Sequence, residues 1–123
     1  MVEINNLSGI SFETKIFSTV AKKVLKGENR ETETFSLAFV SKEEIKKLNK
    51  KFRKKDKATD VLSFELKDKK FLGEIVICPE VVKEKGEDIK MVFVHGILHL
   101  LGYDHEKSEK DALIMEEREK KYL

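Results

Sequence analysis

Cysteine and proline each occur only once in the 123 residues, as Cys78 and Pro79. A single cysteine excludes a disulfide within the chain and fits a reducing cytoplasm, which is the expected location. A single proline excludes a Pro-rich linker. No stretch of about 18 apolar residues is present, so no membrane-spanning helix is expected. The start of the chain, Met1-Val-Glu-Ile-Asn-Asn, lacks the basic residues and apolar run of a secretion signal. There is no internal repeat, no low-complexity tract and no glycine-rich phosphate loop. A dominant charge is missing too: 25 Lys and Arg face 23 Asp and Glu, a formal net charge of +2. Attraction for a polyanion must therefore come from a local patch. What is present suffices for one packed domain, taken as residues 1–123: 40% of the chain is hydrophobic.

Residues 2–4 read as a short strand. Phe12, Ile16, Phe17, Val20 and Val24 recur at helical spacing, with Ser11 at the N-cap and Gly27 at the stop. Residues 35–40, 61–66 and 72–78 read as strands. In the last of these, Ile75 and Ile77 share one face and Glu74, Val76 and Cys78 the other. Ser41-Lys-Glu-Glu44 has capping-box spacing and opens a helix whose inward stripe is Ile45, Leu48 and Phe52. Residues 80–88 read as a polar connection. Residues 89–101 form a helix apolar on nearly every side, the pattern of an element buried at a domain centre. Ser108 and Asp111 open a last helix with Leu113, Ile114 and Met115 inward. The expected class is α+β: a small mixed four-stranded sheet packed with helices, one of them central and buried.

That central helix carries the chemistry. In His95-Gly-Ile-Leu-His99-Leu-Leu-Gly102-Tyr-Asp-His105, the first two histidines are four apart and share a helical face. Gly102 can end the helix in a left-handed conformation and let His105 return as a third ligand. Three imidazoles around one zinc ion leave a coordination position open, the layout of a catalytic site. Buried imidazoles without partners would cost roughly 1–3 kcal/mol each, so structural burial alone is the poorer account. Asp104 is either an orienting partner for a ligand or an exposed turn residue. The spacing also matches the long zincin protease motif, but Gly96 stands where those enzymes keep a general-base glutamate. Metal chemistry on a substrate other than peptide is expected.

The histidine segment resembles the signature of the YbeY family of metal-dependent endoribonucleases. Two further blocks carry the resemblance: Phe52-Arg53-Lys-Lys-Asp56-Lys-Ala-Thr59-Asp60-Val-Leu-Ser63-Phe64 and Leu72-Gly73-Glu74-Ile75-Val-Ile-Cys78. The resemblance implies an α+β fold, with His95, His99 and His105 holding one zinc ion and Arg53 important for RNA cleavage. It further implies an rRNA precursor as substrate, a part in 16S rRNA 3′-end maturation and ribosome quality control, and the ribosomal small subunit or its associated factors as partners. Residues 79–90 make a shorter connection than the family usually has.

A basic patch is compatible with RNA. Residues 42–57 hold nine basic and three acidic side chains, a net of +6. Lys50, Lys51, Lys54 and Lys55 are its RNA-contact candidates, and a plain solvated helix face is the alternative. Arg53 ends the helix and can grip a phosphate with two hydrogen bonds, or pair with Asp56 at the surface. Glu74 stays open between base, orienting group and edge-strand charge. Ser63 is a ligand- or backbone-bonding candidate, and Cys78 reads as a small buried hydrophobe. A metalloprotease, and a non-catalytic RNA- or ribosome-binding factor braced by metal, remain as rivals. The nucleophile, either water or the RNA's own 2′-hydroxyl, stays open.

Overall fold

The computed structural model describes residues 2–66, 68, 70–104 and 108–122. Its elements run β1 (Val2–Asn6), α1 (Lys15–Gly27), β2 (Thr34–Phe39), α2 (Lys42–Arg53), β3 (Val61–Glu65), β4 (Phe71–Ile77), α3 (Pro79–Glu84), α4 (Ile89–Leu100) and α5 (Glu109–Lys121). The four strands lie in the order β1-β2-β4-β3. β1, β2 and β4 are parallel, and β3 returns antiparallel along β4 as an edge strand. The architecture is α+β with a mixed four-stranded sheet, as the pattern predicts.

The alternation of β4 divides the interior in two. Ile75 and Ile77 point into the larger core, where Phe35, Leu37 and Phe39 of β2 meet Phe17 of α1, Phe93 and Ile97 of α4, and Met115 of α5. Val76 points the other way, with Cys78 beyond it, and joins Ile45 of α2, Leu62 of β3 and Val81 of α3 in a smaller cluster. The larger core is stitched by edge-to-face rings, with Phe17 4.9 Å from Phe39 and 5.4 Å from Phe93.

Local chemistry sets the helix ends. Ser41 Oγ accepts the Glu44 N–H at 3.2 Å, and Ser108 Oγ accepts the Asp111 N–H at 3.1 Å, as the capping patterns predict. At the end of α4, the Gly102 N–H bonds the His99 carbonyl and the Tyr103 N–H bonds the Leu98 carbonyl, each at 3.0 Å. With Gly102 at φ +104° this is a Schellman turn, the reversal expected there.

Four expectations need correction. α1 starts at Lys15 after Thr14, not after Ser11, because Phe12 leaves the helical path to stack edge-on against Phe39 at 4.8 Å. Ile16 is consequently exposed, while Ala21 and Leu25 are buried. Phe52 is 56% exposed rather than inward, and Asn49 takes the buried place one turn earlier. Its Nδ2 donates to the Lys57 carbonyl at 2.9 Å, tying down the loop after α2. Residues 79–84 form α3 rather than a polar connection, since Pro79 suits a first helical position and Val81 and Val82 are both buried. In α5 only Met115 of the three apolar residues is fully buried, and Leu113 is exposed.

Candidate active site

β3 is an edge strand, and its α4-facing side chains are free to line a groove. Val61, Ser63 and Glu65 alternate onto that face, opposite Ile77, Ile75 and Gly73 in register. With Thr59, Asp60, Arg53, His95, His99, Gly102, Tyr103 and Asp104 they line a cleft of about 550 Å³. Five of the expected site residues therefore meet: Arg53, Ser63, His95, His99 and Asp104. Glu74 does not. It pairs in register with Phe64 on the opposite face of the sheet and takes no part in the lining. His105 lies outside the described residues.

α4 approaches the sheet closely because residue 96 has no side chain. A Cβ there would sit 3.1 Å from Ile75 Cγ2 and 3.5 Å from Ser63 Oγ. The two flanking histidines are thereby held over β3. Their Nε2 atoms are 3.1 Å apart and their rings stand at 79°. Two nitrogens bound to one tetrahedral zinc at about 2.0–2.1 Å would be about 3.3 Å apart, so the pair suits a shared ion with little adjustment. Both rings are half-buried. Among the described residues, no group of three or more His, Cys, Asp or Glu side chains is arranged to hold a metal.

The Nδ1 atom of His95 meets Glu119 Oε1 of α5 at 2.5 Å. Sequence reasoning missed this contact, although a signal was present. Met115 and Tyr122 mark the buried stripe of α5, and Glu119 sits between them at helical spacing, where an apolar residue would be usual.

An acidic pair at the rim, Asp60 and Glu87, was also missed. Burial, the largest single influence, opposes ionisation of Asp60, but a Glu87 hydrogen bond, Lys85 at 3.6 Å, the Val61 N–H at 2.9 Å and the Thr59 hydroxyl together outweigh it, so its carboxyl lies below the usual range. Glu87 is pushed up by burial and by the neighbouring Asp60 charge. Behind Tyr103, Glu28 accepts hydrogen bonds from the Tyr103 hydroxyl at 2.5 Å and from the Tyr122 hydroxyl, with Arg118 at 3.7 Å. Burial raises the Glu28 pKa, but these donors lower it further. The brace joins the end of α1, the turn after α4 and the end of α5.

Arg53 reaches the cleft from α2, on the far face of the sheet. Asp56, its expected surface partner, is instead 3.8 Å from Lys50. Lys42, at the start of α2, is paired with Glu84 of α3, its Nζ 2.7 Å from the carboxylate. Lys50, Lys51, Lys54 and Lys55 are exposed around Arg53, with Lys51 5.3 Å from the centre of the Phe52 ring. Burial raises the Cys78 thiol pKa, which suits a packing residue and not a nucleophile.

Comparison with known proteins is consistent across sequence and structure. The family model described as endoribonuclease YbeY matches residues 3–123. A protein named endoribonuclease YbeY from Bdellovibrio bacteriovorus is 47% identical over 102 residues, covering 76% of this chain and 67% of that one. A namesake from Thermotoga maritima is 43% identical over 96 residues, covering 72% of this chain, and only 64% of the relative's length is matched. One from Aliarcobacter butzleri is 35% identical across 95% of this chain and 88% of its own. A solution structure of a Thermotoga maritima protein, 35% identical, superposes with a TM-score of 0.68 over 99% of this chain and 86% of that one.

Proposed function

We propose that this chain, which belongs to the endoribonuclease YbeY family, cleaves single-stranded RNA with the help of one zinc ion. The observation that carries the reading is the convergence of His95 Nε2 and His99 Nε2 at 3.1 Å in a cleft that Arg53 also lines. His95 and His99 would hold the ion, with His105 as the third ligand. When bound, zinc supplies a Lewis acid for the phosphate and a more acidic water.

The rest is the work of the chain itself. The Asp60 carboxylate lines the same cleft and favours a cation there over a bare phosphate. Arg53, with no acid among the described residues at ion-pair distance, is available to clamp a phosphate and to stabilise the charge that grows on it. Lys50, Lys51, Lys54 and Lys55 guide the backbone, and the exposed Phe52 ring offers a face for an unpaired base. Ser63 and Asp104 complete the lining as polar contacts. From the family resemblance, the substrate is an rRNA precursor cut in 16S 3′-end maturation and ribosome quality control, in the cytoplasm, beside the small subunit or its associated factors. Among the described residues, no helix is long and apolar enough to cross a membrane.

A protease reading fits poorly. A glutamate in place of Gly96 would have to push four further heavy atoms past a Cβ already in tight contact with Ile75.

The test incubates the protein with a single-stranded RNA carrying the small-subunit rRNA 3′ junction, with and without zinc, beside His99→Ala. Cleavage that needs both zinc and His99 is expected. Intact RNA under every condition, from protein shown to hold one ion, would overturn the nuclease reading in favour of a binding factor.

A further inference from the structure

We propose that Glu119 is a positioning residue: through its hydrogen bond with His95 Nδ1 it fixes that ring's tautomer and direction, so that the Nε2 lone pair faces the ion site. The inference rests on the reading of His95 and His99 as metal ligands, and concerns a residue on a different helix from both.

An imidazole ligates through one nitrogen only if the other carries the proton. For His95 the nitrogen turned toward His99 is Nε2, and the nitrogen turned away is Nδ1, 2.5 Å from Glu119 Oε1. Neutral His95 has two tautomers. A carboxylate oxygen beside Nδ1 accepts a proton there and repels a lone pair, so it selects the tautomer with Nε2 unprotonated. It also restrains rotation about the ring's side-chain torsion, because a ring flip would carry Nδ1 away from Oε1.

Glu119 can do this accurately because its helix is held on both sides of it. Met115, one turn before, is buried in the larger core, and Tyr122, almost one turn after, is buried with its hydroxyl on Glu28. The Glu119 side chain keeps only 18% of its surface and the His95 side chain 31%. A carboxylate so placed on an apolar stripe loses hydration, and the His95 N–H offsets part of that cost. Surface ornament is a poor account of an acid on the inward face of α5.

The expected magnitude follows from general experience with carboxylate–histidine–metal arrangements, where loss of the outer partner weakens metal binding by about 10–100-fold. Glu119→Gln keeps an acceptor oxygen but not the charge and should fall near the lower end. Glu119→Ala should fall near the upper end.

The experiment titrates zinc into the full chain against a chromophoric chelator, for wild type, Glu119→Gln, Glu119→Ala and His99→Ala. In parallel, nitrogen-15 NMR of the zinc-loaded forms follows the His95 ring N–H. The wild type should bind one ion and show a slowly exchanging Nδ1–H. The two Glu119 variants should bind in the order Gln before Ala, with that resonance weakened in Gln and lost in Ala, while the melting temperatures of their zinc-free forms stay close to wild type. Equal zinc affinity and an unchanged ring signal in Glu119→Ala would overturn the positioning role alone. A wild type that takes up no zinc would overturn that role and the metal reading together. A zinc affinity that falls only in step with the melting temperature would overturn it in favour of simple bracing of α5.

Discussion

The two walls of the cleft are built to different standards of rigidity. The α4 wall carries His95 and His99 on a helix whose residues 92–94, 96–98 and 100 are all buried, backed by the larger aromatic core. The opposite rim carries Arg53 at the end of α2, a helix with only Ile45 and Asn49 fully buried. Sharing an ion demands nitrogen positions good to a few tenths of an ångström, and only a densely packed helix holds them. Gripping a phosphate on a flexible strand tolerates, and gains from, a longer and more mobile side chain. On the proposed function, the chemistry is divided between a fixed wall and an adaptable one.

The comparison breaks first at Arg53. Arg53→Ala should lower kcat/KM for RNA about 100- to 1,000-fold, the scale for losing one donor to a transition-state oxyanion. Zinc affinity and melting temperature should be unchanged, as expected for an exposed residue off the rigid wall. Wild-type activity at limiting RNA would remove Arg53 from the mechanism.

The rigid wall is probed by Gly96→Leu. A leucine there must displace Ile75 and lift α4 from β3, costing about 3 kcal/mol in denaturant unfolding. Zinc affinity should drop with it, because both histidines ride on the same turn. Unfolding unchanged within error would show that α4 is not held as closely as its contacts suggest.

The smallest expected effects are in the brace behind the rigid wall, and they depend on pH. Burial and the Glu28 hydrogen bond push the Tyr122 pKa up to about 12, so the folded state favours its neutral form. This stabilisation is complete below about pH 10, the ordinary tyrosine value, and is lost as pH rises through about 12. Glu28 acts at the other end. Its folded pKa is lowered, so its contribution is present above the ordinary carboxylate range and lost as pH falls through the folded value. Tyr122→Phe should flatten the alkaline limb of a stability profile by on the order of 2 kcal/mol, and Glu28→Gln should flatten the acid limb. An unaltered alkaline limb in Tyr122→Phe would dissociate the brace from the pH response.

Much of this molecule was legible along the chain. Period-2 alternation placed Ile75 and Ile77 opposite Val76 and Cys78, and the serine caps and Gly102 marked helix ends, because those signals act through neighbours within a few residues. The His95–His99 pair was legible for the same reason: four residues along a helix is one distance in any fold. The errors arose where a distant partner decided. Phe12 gave up its helical place for Phe39, Phe52 was left outside by Asn49, and Glu74 was turned away from the cleft by the pleat of β4 against β3.

By itself, then, the sequence determined the class of fold, the pairing of His95 with His99 on one helical face and the missing protease base, since each depends on local geometry or on residue type. Only the tertiary structure decided that Arg53 reaches the cleft from the far face of the sheet, that Asp60 lines it, and that Glu119 closes on His95 from 24 residues away. Such pairings depend on how separate elements pack, and no spacing rule along one chain encodes a contact made between two helices.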